Sequence, residues 1–577
     1  MSAPVLRTSA AAETARASSP RELDAKLARL TDHARAFDRA APRTKASWLS
    51  EIAQRLLNLG SGLARAGCEA KGVDPGGPAA SEEWFLGPVL IGRNLRYLRQ
   101  SLADVAMHGT PRLRPGALRE TGDGRCVIEV FPVDAFDRAM FRGVRCETWL
   151  DAGVSRANLA RHQAPFYQRL DPHGSVCLVL GAGNVASIPA MDALYKMFVE
   201  GSVCLIKLNP VNDYIGPYFS QIFAPLIERG YMELAYGGAD VGAYLTDHEL
   251  VDSVHLTGSA AVHDAIVWGD PAGPGANAPS LRLTKRVTSE LGNVSPLLVV
   301  PGSYTAREFD AVADMIAASM VYNGSFNCVS GRLLVLPRGW AQSSALVDRL
   351  TAVLGSIPPR RAYYPGAESR FRHHTEGRER LRSIGRAGPG ELPWTLIPGV
   401  DPRASDDSLL KREAFCPVLG VCEVGSADPL EFLEVAATFV NERVWGTLNA
   451  DCFVAPESLA DPTLLSALQR ATARLRYGTV GVNQWTGVAF GLSSPPWGGH
   501  PSSTLENVQS GIGWVHNTFM LEAVEKSVLW GPLCPTPKHV WLAGHRSAHR
   551  VAQRMLEFDF DPAWRKLPGI AAVSLLG

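Results

Sequence analysis

The chain has 577 residues, 46% hydrophobic and 20% charged, with 57 Lys and Arg balanced by 57 Asp and Glu. That length exceeds what a single hydrophobic core fills, so two or more domains are expected, and the zero net charge disfavours a nucleic-acid partner. No apolar run approaches the ~20 residues of a bilayer span, and ten cysteines without a CxxC pair suggest neither a zinc site nor a disulfide framework, but a reducing, cytoplasmic setting.

Residues 1–19 are rich in Ala, Ser and Arg, lack an apolar signal core and read as a flexible tail. From Pro20 to about Asp104, apolar residues recur at three- and four-residue steps, which predicts helices. The stretch RCVIEVFPVDAFDRAMFRGVRCETWL (125–150) predicts two or more strands around a polar connection. Strand and helix signals then alternate: SVCLVL (175–180), a Gly-rich turn and helix, SVCLIK (202–207), a helix over Ile215–Arg229, MELAY, and YLTDHELVDSVHLTG. This alternation predicts an α/β fold with a largely parallel sheet. RLTKRVTSELG and SPLLVV continue the strand pattern, and AREFDAVADMIAASMVYNG is an amphipathic helix. The Gly/Pro-rich stretches 269–280 and 387–402 read as surface loops, and HRSAHRVAQRMLEF as a late helix.

Two features carry chemistry. In VLGAGNVAS, Gly181, Gly183 and Ala186 fit the dinucleotide fingerprint G-x-G-x-x-G/A after a strand. The acidic residue expected about 20 positions later to hold a ribose is missing, because the next strand ends at Lys207. Either the cofactor carries a 2′-phosphate or the loop serves another site. The second feature is Cys328, alone among small and polar residues in NGSFNCVSGR directly after the Ala-rich helix. Taken by itself it is either a reactive thiol or one more buried cysteine. His545 and His549, four apart, have no third metal ligand and read as part of a solvated basic helix face, and His373 and His374 read as surface residues. No metal site is expected. The aromatic residues near 477–497 are equally readable as core and as the lining of a tunnel.

Several separated segments resemble the aldehyde dehydrogenase superfamily, in the family's order, over roughly 170–515. HLTGS (255–259) resembles F-T-G-S, TSELGNVSP (288–296) resembles L-E-L-G-G-K-S-P, and NGSFNC (323–328) resembles N-x-G-Q-x-C. REAFCPV (412–418) resembles E-E-x-F-G-P-V, and GTVGVN (478–483) and PPWGGHPSS (495–503) resemble G-x-x-x-V-N and P-F-G-G-x-K-x-S-G. The resemblance implies a Rossmann-like nucleotide-binding domain, an α/β catalytic domain and a β-rich oligomerisation arm. It implies oxidation of an aldehyde to a carboxylic acid with NAD or NADP. Cys328 would be the nucleophile, Glu290 the general base, and Asn184 with the Cys328 N–H the oxyanion site. For the cofactor it implies Lys207 at the adenosine ribose, Gly258 and Ser259 near the pyrophosphate, Glu413 at the nicotinamide ribose with Phe415 beside it, and Gly238 and Gly242 along the adenine. Lys207 lies 23 residues after Asn184, the family's spacing, so the glycine fingerprint is partly a decoy.

There are departures. Pro210 stands where NAD-dependent members often carry Glu, which makes NADP as plausible as NAD. Ser325, His263, Asn293 and Cys416 replace family glycines, and Val294 the lysine of L-G-G-K. Relatives that pass the acyl group to coenzyme A generally lack the glutamate matched by Glu290, so an acyl-CoA or acyl-protein reductase is the second reading and a silent relative the third. The expected domains are nucleotide-binding (20–121 and 173–289, with a return near 484–515), arm (122–172), catalytic (290–483) and a C-terminal extension (516–577). A strand-rich arm buries its edge by pairing with another subunit, which predicts a homodimer or homotetramer.

Overall fold

A computed structural model of the chain describes residues 16–122, 124–171, 173–269 and 281–577. The proposed 269–280 loop, apart from Gly269, and most of the 1–19 tail lie outside the described residues. The first long helix, Pro20–Arg39, starts at a Ser19 capping box closed by Glu22 and buries Leu23, Leu27, Leu30, Ala34 and Phe37 along one face. It packs with helices Pro42–Lys71 and Leu90–His108 on a five-stranded, all-parallel sheet. The strand order is Met232–Ala235, Val203–Lys207, Val176–Leu180, Ser253–Gly258, Arg286–Leu291. VCLVL and VCLIK are apolar at almost every position because both faces of this sheet are covered. The order reverses at Val176–Leu180, so a crevice opens beyond the carboxyl ends of that strand and Ser253–Gly258, where open α/β sheets bind ligands.

The second sheet has eleven strands. Its centre is parallel: Thr479–Val482, Asn449–Phe453, Ser295–Val299, Gly331–Pro337, Val418–Val424 and Trp394–Pro398. The arm, Leu118–Glu120, Cys126–Phe131 and Arg145–Leu150, forms an antiparallel meander, with helix Ala135–Met140 as the polar connection. Strand Val524–Trp530 lies between arm and centre, antiparallel to Arg145–Leu150 and parallel to Thr479–Val482. Buried Lys526 fixes it there, donating to the carbonyls of Thr472, Ala473 and Leu475 at the end of helix Pro462–Arg474. The arm's inner edge is therefore paired within its own chain, and the edge argument for a second subunit does not apply to it. The segment read as a C-terminal extension thus supplies a strand to the large sheet. Beyond it, helix Ala548–Phe560 packs on Pro42–Lys71 and Leu90–His108, with buried Asp559 3.1 Å from Arg96 and 3.6 Å from Arg93.

Three local readings are corrected. Within 387–402, WTLIP forms the buried strand Trp394–Pro398; the Gly and Pro residues flank it, and burial on both faces removes the alternation that marks a surface strand. His545 is buried, with Gly577 against its ring, and the helix begins only at Ala548, so His545 and His549 do not share an exposed face. His374 is buried with Nδ1 3.0 Å from Ser408 Oγ. Among the described residues no three His, Cys, Asp or Glu side chains are grouped to hold a metal ion, and no helix is long and apolar enough to cross a membrane.

Candidate active site

The crevice is a cavity of about 1140 Å³ between the two sheets, and all ten residues singled out above line it. From the five-stranded sheet come Lys207 at a strand end, Gly258 and Ser259 at the strand-to-helix turn, and Gly238 and Gly242 around the start of helix Ala239–Asp247. Ser259 caps helix Ala260–Val267 through its Oγ, so the positive end of that helix borders the cavity. Burial lowers the Lys207 ammonium, and the Asp240 carboxylate partly offsets this.

Cys328 follows helix Ala306–Val321 through a tight turn in which Asn323, Gly324 and Ser325 all take left-handed backbone angles. Ser325 holds φ +74° where the family prefers glycine, and Arg332 clamps it there. The guanidinium donates to Ser325 Oγ (2.7 Å), to the Ser325 carbonyl (2.5 Å) and to the Cys416 carbonyl (2.6 Å). Two departures from the family pattern, Ser325 and Cys416, therefore meet on one buried arginine.

Of the ten cysteines, eight are buried and only Cys328 and Cys534 are partly exposed. Cys328 Sγ donates to the carboxylate of Glu290, with Oε1 at 3.1 Å. Glu290 ends strand Arg286–Leu291 and is 2% exposed. Burial, with Asp192 adding to it, raises its carboxyl to about 7. Burial and the neighbouring Glu290 push the Cys328 thiol up, which favours its protonated form. Glu413 is partly exposed as a residue, but the desolvation of its carboxyl raises it to about 7 against the pull of Arg332, the Asn293 N–H and Arg370. One of its oxygens, Oε1, has no hydrogen-bond partner. Phe415 lies beside it on the same loop.

Asn184 sits in the loop after Val176–Leu180 and donates through Nδ2 to the Phe326 carbonyl at 2.9 Å. Its own carbonyl accepts from Lys71 Nζ (2.9 Å), Asn323 Nδ2 (3.0 Å) and the Tyr363 hydroxyl (3.2 Å). The loop's glycines answer to protein packing: a Cβ on Gly181 would come within 2.8 Å of Pro189, and one on Gly183 within 2.7 Å of Asn209. The fingerprint is thus satisfied by close contacts in the chain itself.

Sequence reasoning missed the layer behind these residues. Lys71, at the end of helix Pro42–Lys71, is buried and bonded to Glu83 (2.8 Å), Asn184 and Asn323 (2.9 Å each). Glu82 accepts the Asn323 N–H at 2.9 Å and pairs with Arg360. Arg332, a single cation within the apolar GRLLVLP, was detectable in the sequence; Lys71, with Glu69 and Asp74 beside it, was not.

Over most of its length this architecture is that of solved aldehyde dehydrogenases. A variant of aldehyde dehydrogenase C from Pseudomonas syringae, complexed with NAD+ and octanal, is 16% identical, with a TM-score of 0.60 over 91% of each chain. The glyceraldehyde-3-phosphate dehydrogenase GapN from Methanocaldococcus jannaschii, complexed with NADP, is 15% identical, with a TM-score of 0.57 over 90% of this chain and 96% of that one. These likenesses define the fold class. In sequence, the aldehyde dehydrogenase family model matches residues 149–362. N-succinylglutamate 5-semialdehyde dehydrogenase 1 from Caulobacter vibrioides is 25% identical over 292 residues, 48% of this chain and 55% of that protein. The chain thus spans little more than half of that curated relative. Residues 149–362 thus resemble the aldehyde dehydrogenase family in sequence, and the chain shares that family's fold.

Proposed function

We propose that the protein oxidises an aldehyde to a carboxylic acid with NAD or NADP as acceptor. The observation that carries this reading is the 3.1 Å contact between Cys328 Sγ and Glu290 Oε1 in the cavity that also holds Lys207, Gly258, Ser259 and Glu413. A dinucleotide fits this donor set. Lys207 would hold the adenosine ribose, the N–H groups at Ser259 the pyrophosphate, and the unpartnered Glu413 oxygen a ribose hydroxyl, with Gly238 and Gly242 leaving room for the adenine. The bound nicotinamide supplies the hydride acceptor.

The chain's own residues do the rest. Cys328 gives its proton to Glu290 and attacks the aldehyde carbon as a thiolate. The Cys328 N–H and the Asn184 amide, oriented by its bond to Phe326, receive the developing oxyanion. After hydride loss the acyl group is held as a thioester. Glu290 first releases the thiol proton; it then takes a proton from water, the hydroxide oxygen bonds to the acyl carbon, and the C–S bond breaks to return the thiolate, which recovers that second proton from Glu290.

The test is reduction of the dinucleotide by purified protein across short, long and aromatic aldehydes, with and without coenzyme A, alongside Cys328→Ala. Turnover without coenzyme A that disappears in the variant supports the reading. Turnover only with coenzyme A would replace it with acyl transfer.

A further inference from the structure

Behind Glu290 lies a chain of buried titratable groups with no part in the steps above. Asp192, on helix Ile188–Phe198, accepts the Thr257 hydroxyl at 2.8 Å, and His255 Nε2 lies 3.4 Å from the same carboxylate oxygen. His255 Nδ1 is 2.9 Å from Thr288 Oγ1. Strand pairing sets Thr257 directly beside Glu290 and His255 beside Thr288, so these side chains share one face of the sheet. Asp192, His255 and Glu290 are each no more than 2% exposed.

Buried His516 also faces Asp192, and neither of its ring nitrogens has a hydrogen-bond partner. The Trp497 indole N–H stands beside Glu290 and favours its anion. Buried polar atoms are normally satisfied, so the unmet ring nitrogens of His516 mark a site for bridging hydrogen bonds. Glu200, 2.8 Å from Lys196 and 3.4 Å from Arg286, has its carboxyl held down against burial by these two cations and, more weakly, by His255. Its side chain is 21% exposed and that of Arg286 67%, so the line of groups reaches solvent.

We propose that Asp192 and His255 form a proton exit that carries to Glu200, and so to solvent, the proton Glu290 takes from Cys328, freeing Glu290 to deprotonate the hydrolytic water. The inference rests on the dehydrogenase reading. The proton balance requires such an exit: Glu290 takes one proton from the thiol and a second from water, the returning thiolate takes back only one, and the first must leave before Glu290 can activate water. Asp192 receives it, His255 passes it to Glu200, and Glu290 returns to its anion. The groups facing this path are Cys328 and Glu413 at Glu290, His516 at Asp192, and Lys196 and Arg286 at Glu200. Asp192 and His255 touch no reacting atom and are positioning residues.

The full chain would be tested as Asp192→Asn, His255→Gln and Glu200→Gln, the last at the partly exposed end where folding is least at risk. Stopped-flow mixing with the best aldehyde of the panel separates the burst of reduced dinucleotide from steady turnover. The burst should stay within about twofold of wild type while steady turnover falls about tenfold, and added imidazole should restore it. Burst and turnover falling together, or turnover unchanged, would overturn the proposal. A second readout needs no aldehyde: the pH profile of Cys328 alkylation by iodoacetamide, whose Glu290 limb is the one that Glu290→Gln removes. Removing the Asp192 charge should move that limb to lower pH by about half a unit or more; an unmoved limb sinks the coupling. A wild-type chain inert to every aldehyde would fail the dehydrogenase reading instead, and the alkylation profile would still decide whether Asp192 and Glu290 are coupled.

Discussion

Glu290, near a strand end, and Glu413, on a loop, line one cavity, and loss of water raises both carboxyls to about 7. A Cβ added to Gly292, two residues beyond Glu290, would lie 1.9 Å from Glu413. Their surroundings differ in sign. Glu290 looks at a thiol proton and at a second carboxylate, Asp192, whereas Glu413 looks at Arg332 and Arg370 and keeps one oxygen free. The same upward push therefore yields unequal chemistry. A carboxylate beside an acid and another anion is poised to exchange protons, and one held between cations is poised to accept a hydroxyl.

The largest effect should come from removing the thiol that distinguishes the two. Cys328→Ala should lower turnover by about a thousandfold or more, while dinucleotide affinity, read by fluorescence titration, stays within about twofold. Next, Glu290→Gln should cut steady turnover by about 10²–10⁴ and abolish the rise in wild-type turnover as pH passes about 7. The same substitution has a stability signature. A carboxyl with a raised folded pKa binds its proton more tightly in the folded state. Its contribution is fully present below the unfolded value of 4.5 and is lost as pH rises through about 7. Glu290→Gln should thus raise the melting temperature at pH 8 and leave it nearly unchanged at pH 4, and an equal shift at both would break the argument. Glu413→Gln should weaken dinucleotide binding about tenfold and leave the pH inflection in place; a lost inflection would mean that the two carboxylates do not divide the work. The smallest effect belongs to Ser325→Gly. It relieves the left-handed strain but removes the hydroxyl that Arg332 and Cys416 share, two contributions of about 1 kcal/mol each and opposite sign. Stability by denaturant unfolding should move by less than about 1 kcal/mol.

The parallel five-stranded unit was legible because its strands are short apolar runs between turn residues, and the cavity-lining residues because the family's segments keep their order. What escaped notice depends on long-range packing. Trp394–Pro398 was taken for loop because a strand covered on both faces loses its alternation, and Gly and Pro flank it. His374 and His545 were taken for surface because charged neighbours in sequence say nothing about which way one imidazole turns. Lys71, Arg332 and Asp192 carry no motif, and each is explained by partners far away in the chain. The arm's partner was the least legible of all, since strand pairing between residues near 148 and 527 leaves no local trace.

That pairing sets an order of events during synthesis. The five-stranded unit can close once residue 291 has left the ribosome, because its strands all fall between Val176 and Leu291. The large sheet cannot. Until residues 524–530 are made, Arg145–Leu150 on one side and Thr479–Val482 on the other each present a bare edge, and closing that gap joins positions almost 380 residues apart. Contacts of such separation form late, and open edges in the meantime invite wrong partners. A ribosome stalled near residue 500 would hold a finished nucleotide-type sheet beside an unfinished one, and chaperone dependence or aggregation in truncated chains should begin at that boundary.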